Sequence, residues 1–237
     1  MGSVMPKSDR FRSTTKSYGP DKRNTVLRET NCIFRKKDGN AIVFFERDNI
    51  LLRRRSVSAD LKLGDINREF IDVLIRLREQ NVLFGFISDQ RGLAGNCHGW
   101  SQCTTLTGIL DDLLRVQGAE PDFWVTWRGS TRPDSSIAER NYAANMAYAD
   151  LIMRVMAWYG ADKNRAIFVG SSSATTQTAN RADIAGFRYS SWPSGPIASR
   201  PRGTETPPRT TRPAITATEL LLSRVEQMLA GGRRRTG

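Results

Sequence analysis

The chain predicts an α/β fold: a single domain built on a doubly wound parallel sheet, with basic disordered tails and a C-terminal helix. Two observations carry this. Five short apolar runs alternate with segments whose apolar residues recur at helical spacing. The connections between them are compact, as a parallel sheet covered by helices requires. At 237 residues the chain has room for one such core and its appendages.

In chain order, residues 1–30 are polar and basic, are broken by Gly19-Pro20, and read as a disordered arm. The α/β domain is placed at 31–190. Its strands are expected at 41–45, 82–88, 122–126, 165–169 (ending at Gly170) and 186–189. Helix 66–80 carries Phe70, Val73, Leu74 and Leu77 on one face. Helix 100–118 carries Leu106, Ile109, Leu110, Leu113 and Leu114, with Gly118 as its stop. Helix 145–159 carries Met146, Ala149, Ile152, Met153 and Met156 ahead of Gly160, and 177–184 reads as a short fourth helix. Six of the ten prolines then fall between Pro193 and Pro213, which makes 191–215 a Pro/Arg-rich extended linker. The last unit, 216–237, is a helix capped by Thr216 or Thr218, striped by Leu220, Leu221, Val225 and Met228, stopped at Gly231-Gly232 and followed by a basic tail.

The net charge of +12 is uneven. Residues 1–40 hold ten Lys/Arg against four acids, and 191–237 hold eight against three, while 41–190 are nearly balanced at eighteen against seventeen. The basic character thus belongs to the ends, where nucleic acid or an acidic partner could be attracted. The helix at 216–237 and the Pro/Arg-rich linker are the candidate contacts for a protein partner. The three cysteines, Cys32, Cys97 and Cys103, fit a reducing, cytoplasmic setting. No apolar run is long enough to span a bilayer, and the basic N-terminus does not read as a secretory signal, so no membrane association is expected.

The most informative segment is Ala41-Ile-Val-Phe-Phe-Glu46-Arg47-Asp48-Asn49. Residues i and i+2 at a strand end point the same way, so Glu46 and Asp48 are expected to share one site. Paired acids at the C-terminal end of a parallel strand suit Mg²⁺ and phosphoryl transfer. The sole histidine, His98, has no triad around it. Cys97, His98 and Cys103 lack a fourth ligand, so zinc is not expected. Ser171–Ser173 follow Gly170 without the Gly-Lys-Ser/Thr ending of a P-loop.

These motifs resemble the haloacid dehalogenase (HAD) superfamily, in its branch of D-glycero-D-manno-heptose 1,7-bisphosphate and histidinol phosphatases. Glu46-x-Asp48-Asn49 is similar to the first motif, Asp-x-Asp-Gly. Phe86-Ile-Ser88-Asp89-Gln90-Arg91-Gly92-Leu93-Ala94 is similar to the second, Arg140–Met146 to the third, and Arg165–Gly170 to the strand carrying the fourth. The resemblance implies that position 46 is the nucleophile, that Asp48 is the acid–base group, and that Glu46 and Asp48 are the Mg²⁺ ligands. It also implies that Ser88, Asp89, Arg140 and Asn141 bind the substrate phosphate.

The departures from the family point the other way. Glu46 replaces the nucleophilic Asp and carries its carboxylate one methylene further out, where about 1 Å of misplacement costs roughly a hundredfold. Asn141 replaces a lysine, Ser171 and Thr175 replace two Mg²⁺-binding acids, and Asp89 replaces Asn. The expected pocket holds Glu46, Asp48 and Asp89 against Arg140, with Mg²⁺ weakly held or absent, and it repels a phosphate dianion. The leading expectation is a degenerate, catalytically impaired HAD phosphatase-like protein that acts as a binding, regulatory or scaffolding domain. The alternatives are a Mg²⁺-dependent phosphatase of a sugar phosphate or similar small phosphomonoester, and a nucleic-acid or acidic-partner binder acting through the tails.

Overall fold

The computed structural model describes residues 30–52, 66–89, 97–127, 136–189 and 216–232. The expected arm through residue 29, the 90–94 part of the second motif, the 191–215 linker and the basic 233–237 tail lie outside these residues, and with them the regions read as nucleic-acid contacts. In chain order the elements are β1 (Thr30–Phe34), β2 (Ala41–Glu46), α1 (Arg68–Glu79), β3 (Val82–Asp89), α2 (Cys97–Val116), β4 (Phe123–Trp127), α3 (Ile137–Tyr159), β5 (Ala166–Gly170), α4 (Ser173–Ala182), β6 (Ala185–Arg188) and α5 (Ala217–Gly232).

The strands form one sheet in the order β1-β4-β3-β2-β5-β6. All five expected strands are present and parallel to one another, with β2 central between β3 and β5. The chain winds from β2 through β3 to β4, then returns past β2 to β5 and β6. Strand order therefore reverses at β2/β5, the position where α/β sheets open a crevice at their C-terminal ends.

The alternation of β2 sends its side chains to two separate cores. Ala41, Val43 and Phe45 join Phe70, Val73, Leu74 and Leu77 of α1 and Leu106, Leu110 and Leu114 of α2. Ile42 and Phe44 join Ile152, Val155 and Met156 of α3 and Ala179 and Ala182 of α4. The strand is thus buried on both faces, which is why it reads as an unbroken apolar run. Phe45 meets Phe70 edge-on at 4.9 Å and Phe86 stacks on Trp124 at 4.7 Å, an aromatic seam beneath the C-terminal ends of the central strands. At Gly85 of β3 the backbone of β4 comes so close that a Cβ would strike the Phe123 carbonyl oxygen and ring, so no other residue fits.

The sheet departs from the all-parallel expectation through β1, which begins at Thr30 and pairs antiparallel with β4. Asn31-Cys-Ile-Phe34 is short and flanked by charge, and it becomes a strand only because β4 offers an open edge and a polar network holds its end. In that network Arg35 contacts Asp111 at 2.5 Å and Glu120 at 3.1 Å. Asp122, with no exposed surface, accepts from Arg78 at 3.0 Å and from the Phe84 N–H at 2.9 Å, with Lys37 3.7 Å away. The Tyr159 hydroxyl lies 2.7 Å from the Asp122 carbonyl and 2.9 Å from that of Arg35. Burial and the Asp122 charge push the Tyr159 hydroxyl far above its ordinary pKa.

Two helices start earlier than their apolar stripes suggest. α3 begins at Ile137, not 145, because Ser136 and Glu139 form a capping box (Glu139 N–H to Ser136 Oγ 3.2 Å, Ser136 N–H to Glu139 Oε2 2.7 Å). α4 begins at Ser173, not 177. α2 takes in Cys97 and His98, which the sequence placed ahead of it. α5 takes in the Gly231-Gly232 pair and is described as far as Gly232. Its start is the expected one, with Thr216 and Glu219 bonding reciprocally at 2.8 and 3.2 Å. α5 packs Leu221, Leu222 and Val225 into the α1/α2 core, and Thr218 Oγ1 lies 3.1 Å from the Tyr189 hydroxyl.

Candidate functional site at the strand ends

β2 ends at Glu46, and the backbone then turns sharply. The Arg47 carbonyl accepts from the N–H groups of both Leu51 and Leu52, each at 3.2 Å. Asn49 sits at φ 66°, a left-handed conformation that Asn tolerates better than most residues. The sequence resemblance implies a glycine at this position, and the left-handed backbone is one that glycine also adopts. The turn is pinned to the start of α1, where Asn67 donates through its N–H to the Leu51 carbonyl at 2.9 Å and caps Phe70.

The carboxylates of Glu46 and Asp48 enter different networks. Glu46 reaches across to the β5–α4 junction. Its Oε2 accepts from the Ser171 N–H at 3.0 Å and lies 3.4 Å from Ser171 Oγ, while Oε1 accepts from Thr175 Oγ1 at 3.3 Å. The sequence resemblance implies metal-binding acids at these two positions, and here they supply hydrogen-bond donors beside the N-terminus of α4. Gly170 makes the arrangement possible, because a Cβ there would strike Thr175 Oγ1 and the Glu46 carboxylate. Burial pushes the Glu46 carboxyl above its ordinary pKa; the Ser171 and Thr175 donors pull it back, and the charge of Asp48 adds to the rise.

Asp48 is held by its neighbour. Arg47 is 2% exposed and donates through Nε to Asp48 Oδ1 at 3.0 Å and through Nη2 to Oδ2 at 3.3 Å. Its remaining nitrogen, Nη1, is buried with no hydrogen-bond partner among the described residues. The Cys103 thiol of α2 lies within reach of the same charges: burial raises its pKa, the Arg47 charge opposes this, and Asp48 reinforces it. The sequence reading passed over Arg47 as the residue between two acids. The available signal was a charged side chain directly after a fully buried strand, where it has to find a buried counter-ion.

Ser88 is buried in β3, and its hydroxyl donates to Thr126 Oγ1 of β4 at 3.1 Å, opposite it in register. Asp89 ends β3 at the same edge, paired with Trp127, and Arg140 and Asn141 lie in the first turns of α3; the side chains of these three lie outside the described residues. Around them α3 and α4 are joined by Asn145 Nδ2 donating to Gln177 at 3.0 Å and by Arg181 lying 4.4 Å from the centre of the Tyr142 ring.

Mg²⁺ is the ion that the sequence resemblance implies. This ion requires six oxygens in near-octahedral order. Here both oxygens of Glu46 face hydroxyl or N–H donors, both oxygens of Asp48 face a guanidinium, and no cluster of three His, Cys, Asp or Glu occurs among the described residues. No described helix is long and apolar enough to cross a membrane.

Among solved structures, the chain is similar to a protein from Mesorhizobium loti described as a HAD-like phosphatase, with a TM-score of 0.56 and 16% identity over 85% of this chain and 92% of that one. It is also similar to D,D-heptose 1,7-bisphosphate phosphatase from B. bronchiseptica, determined with magnesium and phosphate, with a TM-score of 0.47 and 16% identity over 63% of this chain and 80% of that one. No family model matches the chain, and no curated protein matches it. The first likeness, together with the six-stranded, mostly parallel sheet, establishes a HAD-like α/β fold.

Proposed function

We propose that this chain is a HAD-like protein whose phosphatase machinery has been converted into a binding site for a small phosphorylated ligand, with a regulatory or scaffolding role. One observation carries the reading: the Glu46 carboxylate is held by Ser171 and Thr175. A nucleophile must aim a lone pair in line with phosphorus, and a Mg²⁺ ligand must aim one at the metal. The hydrogen bonds to Ser171 and Thr175 fix the Glu46 carboxylate toward the β5–α4 junction, which supports a structural role for it over either of these. Asp48, which in the family carries the proton, spends both oxygens on Arg47. Mg²⁺ binding is correspondingly weak or absent in this proposal, the phosphate contacts are assigned to Ser88, Asp89, Arg140 and Asn141, and the setting is cytoplasmic.

Purified protein incubated with Mg²⁺ and a panel of small phosphomonoesters is expected to release no phosphate above background. Turnover that disappears in Glu46→Ala or Asp48→Asn would overturn the reading in favour of a Mg²⁺-dependent phosphatase. That second reading is favoured by the fold of the Mesorhizobium loti protein alone.

A further inference from the structure

The charge tally at the site changes once Arg47 is counted. The sequence suggested three carboxylates against Arg140. In the structure Asp48 is already neutralised by a guanidinium buried beside it, and that guanidinium keeps one donor group in reserve. Leaving a buried charged donor without an acceptor is costly, and most such groups in folded proteins are satisfied by protein, water or ligand. Arg47 directly follows the final residue of the central strand, next to the strand-order reversal where ligands of α/β sheets bind.

We propose that this edge of the sheet is an oxyanion site in which Arg47 Nη1 donates to a phosphate oxygen, so that the anion is held by a guanidinium instead of a metal ion. The proposal deepens the binding reading above and rests on it for the phosphate chemistry. Three features set its character. A planar guanidinium matches tetrahedral oxyanions well, and its charge persists at any working pH. The Asp48 pair fixes the guanidinium in place through Nε and Nη2, which leaves Nη1 as the group available to a ligand. Because Arg47 is only 2% exposed, the occupant is a small tetrahedral group and not an extended polyanion.

The test is calorimetry and thermal unfolding of the full chain in EDTA, with inorganic phosphate and, separately, glycerol phosphate, against chloride at matched ionic strength. Saturable binding and a rise in melting temperature are expected without metal. Arg47→Lys should weaken binding by about tenfold or more, the loss of one well-placed charge-assisted hydrogen bond. Asp48→Asn keeps Arg47 but removes its neutralising charge and should tighten binding. If Arg47→Lys fails to fold, the Asp48→Asn arm decides alone. No metal-free binding, unchanged affinity in Arg47→Lys, or weaker binding in Asp48→Asn would overturn the proposal. Tighter binding of glycerol phosphate than of phosphate identifies the group as part of a larger ligand; the reverse identifies the free ion. Mg²⁺-dependent turnover would sink the proposed function, while the metal-free arm would still decide this inference.

Discussion

The two edges of the central sheet use charge in opposite ways. At the edge where β4 begins, Asp122 is surrounded by Arg78, Lys37 and the Phe84 N–H, and Arg35 links Asp111 to Glu120. Cations and acids interlock there, and the result ties β1, β4, α1, α2 and α3 together. At the edge where β2 and β5 end, the groups are fewer and more isolated: a carboxylate held by two hydroxyls and one N–H, and a guanidinium on one acid with a donor left over. A fully paired network serves stability, whereas an incompletely paired one is where a ligand gains the most by arriving. The contrast separates the fold's anchor from its site without reference to any relative.

The largest effect is expected from Asp122→Ala. It strands Arg78, Lys37 and a buried N–H, and should cost about 3–5 kcal/mol in urea unfolding. A loss under about 1 kcal/mol would make that edge no more cohesive than an ordinary surface. Next comes Gly170→Ala, which pushes a methyl into Thr175 and Glu46 and should cost about 1–3 kcal/mol. Much of that loss should return in the Gly170→Ala/Thr175→Ala double variant, and strict additivity would mean that the three residues do not share one space.

The smallest effect concerns Glu46 and pH. Its folded pKa is raised, so the native state binds its proton more readily than the unfolded chain. This contribution is complete below the ordinary carboxyl range and is lost as pH rises through the folded pKa. Glu46→Gln has no such dependence, so the variant's melting temperature should gain on wild type as pH rises from about 4 to about 7. A constant difference across that range would place the carboxylate in water, not under α4.

The sequence disclosed the interior better than the edges. β2 and β3 are buried on both faces, so their apolar runs carried a clear signal, and α1 showed its stripe at helical spacing. β1 was hidden because five residues between charges acquire their conformation from β4 and from Arg35, a long-range cause that no local window contains. The early start of α3 was legible in Ser136-Ile-Ala-Glu139 but was overlooked in favour of the Met stripe. At the candidate site, positions 46, 48, 171 and 175 stood out in the sequence, whereas the hydrogen bonds from 171 and 175 to Glu46 did not. A strand-end alternation rule put Glu46 and Asp48 in one site; their charges do act on each other, but the rule could not show that Asp48 pairs with Arg47.

The contact between Tyr189 and Thr218 has a consequence for the segment between them. It holds together the two points where that stretch leaves and rejoins the sheet's helical layer, and α5 is seated beyond it by Leu221, Leu222 and Val225. α5 is therefore part of the same core as the sheet. A protease nick between residues 190 and 215 should leave two fragments that stay associated through apolar contact, co-eluting in native chromatography and separating only in denaturant.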